Sequence, residues 1–233
     1  MIDPNARGGV RRYQDTVKPE EYVPDIGEID LTELSLTGLA DLYGSDKGSI
    51  KHRYTDIYET LIQKLLNGRP RKQASLQIAE AGIACGASLR MWANYLPASK
   101  VTAYDIREEC NGLCGDLPNV SIKIADPTAS APPSGVLFDL FVDDASHIAE
   151  NIVAMFRHCW PWVRPGGYYV IEDLRCTYNE AYTAQFRAHF DPNAINDRRR
   201  ILELMDVVMR AVDARQEISE FNYYPQLLVL RKK

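Results

Sequence analysis

Acidic residues at the ends of apolar runs carry the chemistry of this chain. Asp143-Asp144-Ala145-Ser146-His147 follows the run 137–142, and Glu172-Asp173 follows 168–171. Upstream, Glu80-Ala81-Gly82 closes one more such run and Asp105 another. Short apolar runs between turn residues read as buried parallel strands. Carboxylates at the ends of adjacent parallel strands converge on one rim, where open α/β sheets bind ligands. Neighbouring acidic strand ends repel unless a cation or protons fill the space between them. A bound Mg²⁺ relieves that repulsion with oxygen ligands alone. His147, three residues past Asp144, adds a candidate general base, the role imidazoles most often fill.

A second group points to a nucleoside. The loop 80–86, Glu-Ala-Gly-Ile-Ala-Cys-Gly, follows one predicted strand and opens a helix. Glycine there lets the backbone approach a ligand, and the helix N-terminus faces it. The spacing departs from G-x-G-x-x-G, so an ordinary dinucleotide site is not indicated. Asp105 ends the next strand and can accept hydrogen bonds from two ribose hydroxyls. Its alternative role is to cap the stretch from Ile106. Asp126, after a third strand, can meet an adenine amine or form a turn with Pro127. Asp143 or Asp144 could instead cap the helix that follows.

These residues need a scaffold. Residues 1–30 are polar and rich in proline and glycine, and read as a flexible arm. Helical periods cover 31–43 and 54–66, with a break at 44–49. Strands follow at 76–80, 100–104, 120–125, 137–142 and 168–171. Helices are expected at 88–95, 148–160, 181–190 and 199–212. Pro165-Gly166-Gly167 reads as a turn into the fifth strand. The tail, 217–221 and 227–230 around Asn222–Pro225, reads as an antiparallel pair. The alternation predicts an α/β fold, Rossmann-like and mostly parallel. The division expected is 1–70 as arm and helical cap, and 71–233 as the catalytic domain.

The chain has 233 residues, enough for one substantial core. Its net charge of −5 implies no broad basic surface, so nucleic acid is not an expected partner. Five scattered cysteines form no disulfide framework and fit a reducing cytoplasm. No run approaches the ~20 apolar residues of a membrane span. Tyr178 and Tyr182 lie beyond the fifth strand, where a substrate pocket or the core would claim them. Trp160 and Trp162 read as core.

Taken together, the motifs resemble a family. Glu-x-Gly at 80–82, Asp105, Asp-Asp-x-Ser-His at 143–147 and Pro-Gly-Gly-x-Tyr-Val-Ile-Glu-Asp-Leu at 165–174 are similar to the metal-dependent sugar O-methyltransferases of the macrocin and mycinamicin type. Asp46-Lys47-Gly48 with His52 and Tyr54, and Ser88-Leu89-Arg90-Met91-Trp92, fit the same pattern. The resemblance spans residues 40–230. It implies a class I S-adenosylmethionine (SAM) methyltransferase fold, with a seven-stranded sheet and a C-terminal antiparallel strand. It implies SAM as methyl donor and Mg²⁺ chelating two adjacent sugar hydroxyls. It makes Asp144, Glu172 and Asp173 metal ligands, and His147, with Asp144, catalytic. It assigns SAM contacts to Glu80, Gly82, Ser88, Asp105, Asp126 and Asp143, with Lys47 and Tyr54. It also implies a homo-oligomer and a sugar or glycoside acceptor. Ala145 stands where that family has glycine, and Ala125-Asp126-Pro127 where it has Gly-Asp-Gln. The chain is far shorter than the two-domain macrolide enzymes, and is expected to lack their large N-terminal domain. Three other readings fit the residues less fully: an amino-sugar N-methyltransferase with little need of metal, a non-catalytic SAM-binding protein, and a nicotinamide oxidoreductase.

Overall fold

The computed structural model describes residues 23–25, 27, 29–131 and 134–233. Most of the expected N-terminal arm lies outside them, as do Pro132 and Pro133. Among the described residues seven strands form one sheet: β1 (Gln77–Ala81), β2 (Lys100–Asp105), β3 (Val120–Ile124), β4 (Phe138–Asp143), β5 (Val163–Ile171), β6 (Ile218–Tyr224) and β7 (Leu227–Lys232). Their order is β3-β2-β1-β4-β5-β7-β6. β3 to β5 pair in parallel, and β7 runs antiparallel to both of its neighbours.

Side chains alternate between two cores, as the strand period of two requires. Ile78, Leu140, Val142, Tyr168 and Val170 face one layer, with α1 (Leu36–Leu42), α2 (Tyr54–Leu66) and α3 (Ala87–Tyr95). Ala79, Phe141, Tyr169 and Ile171 face the other, with α4 (Ala149–Cys159) and α6 (Arg198–Asp213). Trp160 and Trp162 are buried in that second layer. The first two helices thus share an apolar core with the sheet.

Three boundaries differ from the sequence reading. The helix expected over 31–43 is split, because the Ser35 side chain accepts from Gly38 N and starts α1 there. A 3₁₀ turn, Leu31–Glu33, precedes it. Pro165-Gly166-Gly167 lies inside β5. A register shift between Phe138 and Leu140 lets proline sit in that strand. A Cβ on Gly167 would lie 2.9–3.0 Å from three carbonyl oxygens, which is why glycine stands there. β6 runs to Tyr224, so the last turn shrinks to Pro225-Gln226.

Candidate active site

The rim is built by backbone bonds that continue the ladders past the strand ends. Gly82 N donates to Tyr104 O (2.8 Å), Asp144 N to Ala81 O (2.9 Å) and Glu172 N to Asp143 O (3.0 Å). These bonds bring the loops after β2, β1, β4 and β5 side by side. A cavity of about 650 Å³ opens along them, a volume suited to a small ligand.

At one end, Asp144, His147 and Asp173 converge. One ligand atom from each lies within 4.8 Å of the others. His147 Nε2 is 3.9 Å from both Asp144 Oδ1 and Asp173 Oδ2. His147 and Asp173 both have left-handed backbones, with φ of 51° and 54°. That conformation is uncommon outside glycine and turns both side chains toward the rim. Two carboxylates and an imidazole suit a hard divalent cation. On this donor chemistry the residues fit a metal.

A cation from the chain itself serves the acidic strand ends. Lys47 Nζ donates to Asp144 Oδ2 (2.5 Å) and Glu172 Oε2 (2.7 Å), and lies 3.8 Å from Glu80 Oε1. It is 1% exposed. Burial alone would lower its ammonium pKa, but the carboxylates around it hold it well above the ordinary lysine range. Tyr58 donates to the other oxygen of Glu172. Both Glu172 oxygens are therefore engaged, and its carboxylate stands apart from the Asp144–His147–Asp173 group. Burial and then Asp144 push the Glu172 carboxyl well up. Asp173 goes the other way: despite its burial, His147, His52 and the Tyr54 hydroxyl hold it low.

The other end of the cavity is organised around Asp105. Its Oδ2 accepts from Ile83 N (3.0 Å), which ties the glycine loop to β2. Arg107 grips both oxygens, at 3.1 Å and 3.0 Å. Arg107 N also donates to Oδ1, so Asp105 is a local cap as well. Gly82 has φ of 93°, and a Cβ there would lie 2.1 Å from Asp144 O. The glycine thus serves contact between two loops as well as room for a ligand.

Among the residues expected to touch the cofactor, Gly82, Ser88, Asp105, Asp126 and Lys47 line the cavity. Glu80, Asp143 and Tyr54 stand behind its wall instead. Glu80 is buried, taking bonds from Ser88 Oγ (2.6 Å) and Trp92 Nε1 (2.6 Å). Asp143 is buried against the Tyr169 hydroxyl (3.4 Å), and burial pushes its carboxyl up to about 7. Tyr54 donates to Asp173 Oδ1 (2.7 Å) and stacks on His52. Asp126 caps its own turn through Thr128 N (2.8 Å). Neither Asp143 nor Asp144 caps α4; Asn196 Oδ1 accepts from Ala149 N (2.9 Å). Tyr178 is exposed, whereas Tyr182 lies on the cavity wall. Sequence reasoning missed Lys47 as a counter-ion, Tyr58 as a carboxylate donor and Arg107 on Asp105. Only the lysine and arginine beside the motifs signalled them.

The chain shares 33% identity over 157 residues with the 8-demethyl-8-alpha-L-rhamnosyl tetracenomycin-C 2'-O-methyltransferase of Streptomyces olivaceus. The chain is similar to sugar O-methyltransferases of antibiotic biosynthesis. That match covers 65% of this chain and 40% of the relative. Demethylmacrocin O-methyltransferase of Streptomyces fradiae is 32% identical over 159 residues, covering 64% of this chain and 37% of that protein. The chain therefore spans about two fifths of the length of these relatives. A solved methyltransferase of the mycinamycin biosynthetic pathway, in complex with Mg, SAH and mycinamycin VI, superposes with a TM-score of 0.66. It is 22% identical, and the overlap covers 85% of this chain and 54% of that one. The fold is that of SAM methyltransferases. No family model matches the chain.

Proposed function

We propose that this chain is an SAM- and divalent-metal-dependent O-methyltransferase, acting on one hydroxyl of a vicinal diol in a sugar or glycoside of antibiotic biosynthesis. The observation that carries the reading is the convergence of Asp144, His147 and Asp173 beside the glycine-loop cavity. The relatives are named as sugar O-methyltransferases, and the solved neighbour as holding Mg and SAH. Asp144 and Asp173 would hold the metal, with Glu172 as third ligand once Lys47 yields its Oε2.

A sugar hydroxyl is a poor nucleophile at neutral pH. A divalent cation held by Asp144 and Asp173 would lower the pKa of that hydroxyl. His147 would take the hydroxyl proton, and bound SAM would supply the methyl group, its S–CH₃ bond breaking as the new O–CH₃ bond forms and S-adenosylhomocysteine leaving as the neutral thioether. Gly82 and Asp105 would hold the donor's nucleoside, so that orientation would supply much of the rate. We take residues 1–70 as arm and cap and 71–233 as the catalytic domain, working in the cytoplasm as a homo-oligomer. Among the described residues no helix is long and apolar enough to cross a membrane.

The test is methyl transfer from labelled SAM to candidate glycosides, with Mg²⁺ and in excess EDTA. Transfer is expected only with the metal, and His147→Ala should lose at least ~100-fold in turnover while keeping SAM affinity. Full turnover in EDTA would remove the metal from the mechanism and favour an N-methyltransferase. Tight SAM binding with no transfer to any acceptor would favour a non-catalytic role.

A further inference from the structure

The three acids after β4 and β5 share a pattern. Each engages one carboxylate oxygen with a donor from the segment 47–58. Asp144 Oδ2 accepts from Lys47 Nζ (2.5 Å), Asp173 Oδ1 from the Tyr54 hydroxyl (2.7 Å), and Glu172 Oε1 from the Tyr58 hydroxyl. The other oxygens of the two aspartates, Asp144 Oδ1 and Asp173 Oδ2, both lie 3.9 Å from His147 Nε2. Each aspartate thus has one oxygen tied to the segment before the sheet and one turned to the histidine of the candidate metal group.

The tyrosine ties are firmly seated. Tyr54 and Tyr58 stand at i and i+4 at the start of α2, so both hydroxyls leave the same face of that helix. Both residues are buried in the core that α2 shares with the sheet. Neither ring can swing away without opening close apolar packing. The His52 ring stacks on Tyr54 at 5.0 Å, and its Nε2 lies 3.8 Å from the same Asp173 oxygen. Asp173 has a left-handed backbone, a conformation that persists only where its surroundings hold it. The Tyr54 hydroxyl is one of the groups that do.

Denticity separates the hard cations. Ca²⁺ gathers many oxygens at longer distances and accepts both oxygens of one carboxylate, whereas Mg²⁺ demands a small octahedron and keeps several waters. An acid with one oxygen committed to a buried hydroxyl suits Mg²⁺ and leaves Ca²⁺ short of ligands.

We propose that Tyr54 and Tyr58 are positioning residues that restrict Asp173 and Glu172 to one oxygen each, and so select a small octahedral cation over Ca²⁺. The selection rests on the metal-dependent reading of this centre and deepens it by naming what decides the ion.

The test is calorimetric titration of the full chain with Mn²⁺, SAH present, followed by displacement with Mg²⁺ and with Ca²⁺. Wild type is expected to bind Mg²⁺ more tightly than Ca²⁺. Tyr54→Phe keeps the ring that stacks on His52, and should lower the Mg²⁺-to-Ca²⁺ affinity ratio about tenfold. Tyr58→Phe should lower it in the same sense. A merely structural role would weaken both ions alike and leave the ratio where it was. A ratio that neither variant lowers, or a wild type that holds Ca²⁺ as tightly as Mg²⁺, overturns the selection. The two readings fail separately. Methyl transfer that needs a metal, with the ratio unaltered in both variants, sinks the selection alone. A wild type that binds none of these ions sinks the metal-dependent reading, and the selection with it.

Discussion

Two carboxylate sites on this rim carry a cation of the chain's own, and they are built differently. Lys47 is 1% exposed and touches carboxylates that follow β4 and β5, 97 and 125 residues away. Arg107 is part-exposed and grips Asp105 two residues back. The first pairing joins distant elements inside the protein. The second is a local turn at the edge of the cavity. Burial decides what each is worth: a charge left alone in the interior is costly, while one at the surface is screened by water. The lysine is therefore part of the fold, and the arginine is a local group at the cavity edge.

Removing the lysine should show the largest effect. Lys47→Met is expected to cost about 3–5 kcal/mol in denaturant unfolding, because Asp144 and Glu172 lose their shared counter-charge. Added Mn²⁺ should raise the melting temperature of that variant more than that of wild type. Wild-type stability in the variant would place the two sites on the same footing.

Gly82 lies where the two sites meet, since its neighbour Ile83 binds Asp105 while its own Cα faces Asp144 O. Gly82→Ala is expected to cost ~1–3 kcal/mol through overpacking against backbone. It should also weaken SAM binding, measured by calorimetry. Unchanged affinity would show that the two loops move independently.

Arg107→Ala should be mildest, under ~1 kcal/mol at neutral pH, with SAM affinity kept or improved. Burial would raise the Asp105 carboxyl, but Arg107 and the Ile83 amide hold it below its ordinary value. A lowered acid contributes stability above its unfolded pKa, near 4, and loses it as pH falls through the folded one. The variant should therefore lose less stability on acidification below about pH 4. An unaltered acid slope would show that Arg107 does little for Asp105.

The strand ends were legible because apolar runs and acidic punctuation are local signals. Five parallel strands, the terminal antiparallel pair and the meeting of Asp144, His147 and Asp173 follow from them. Lys47 was visible only as part of a short motif. Its partners are more than ninety residues off, and no periodicity encodes that pairing. Tyr58 read as one apolar member of the α2 stripe, although its hydroxyl reaches Glu172. Glu80, Asp143 and Tyr54 have the residue types of contact groups, but each is taken by a neighbour behind the wall. Pro165-Gly166-Gly167 has turn chemistry, yet a register shift carries it inside β5.

The ammonium at position 47 comes from the stretch ahead of α2, and Tyr58 from α2 itself. A catalytic sheet severed at residue 70 would keep its acids and forfeit both groups that quiet them. Dissecting the chain at that border would leave mutual repulsion in the middle of the protein. The helices before the sheet are thus a keystone for the acidic rim, whereas α5 (Glu180–His189) lines the cavity without burying a side chain.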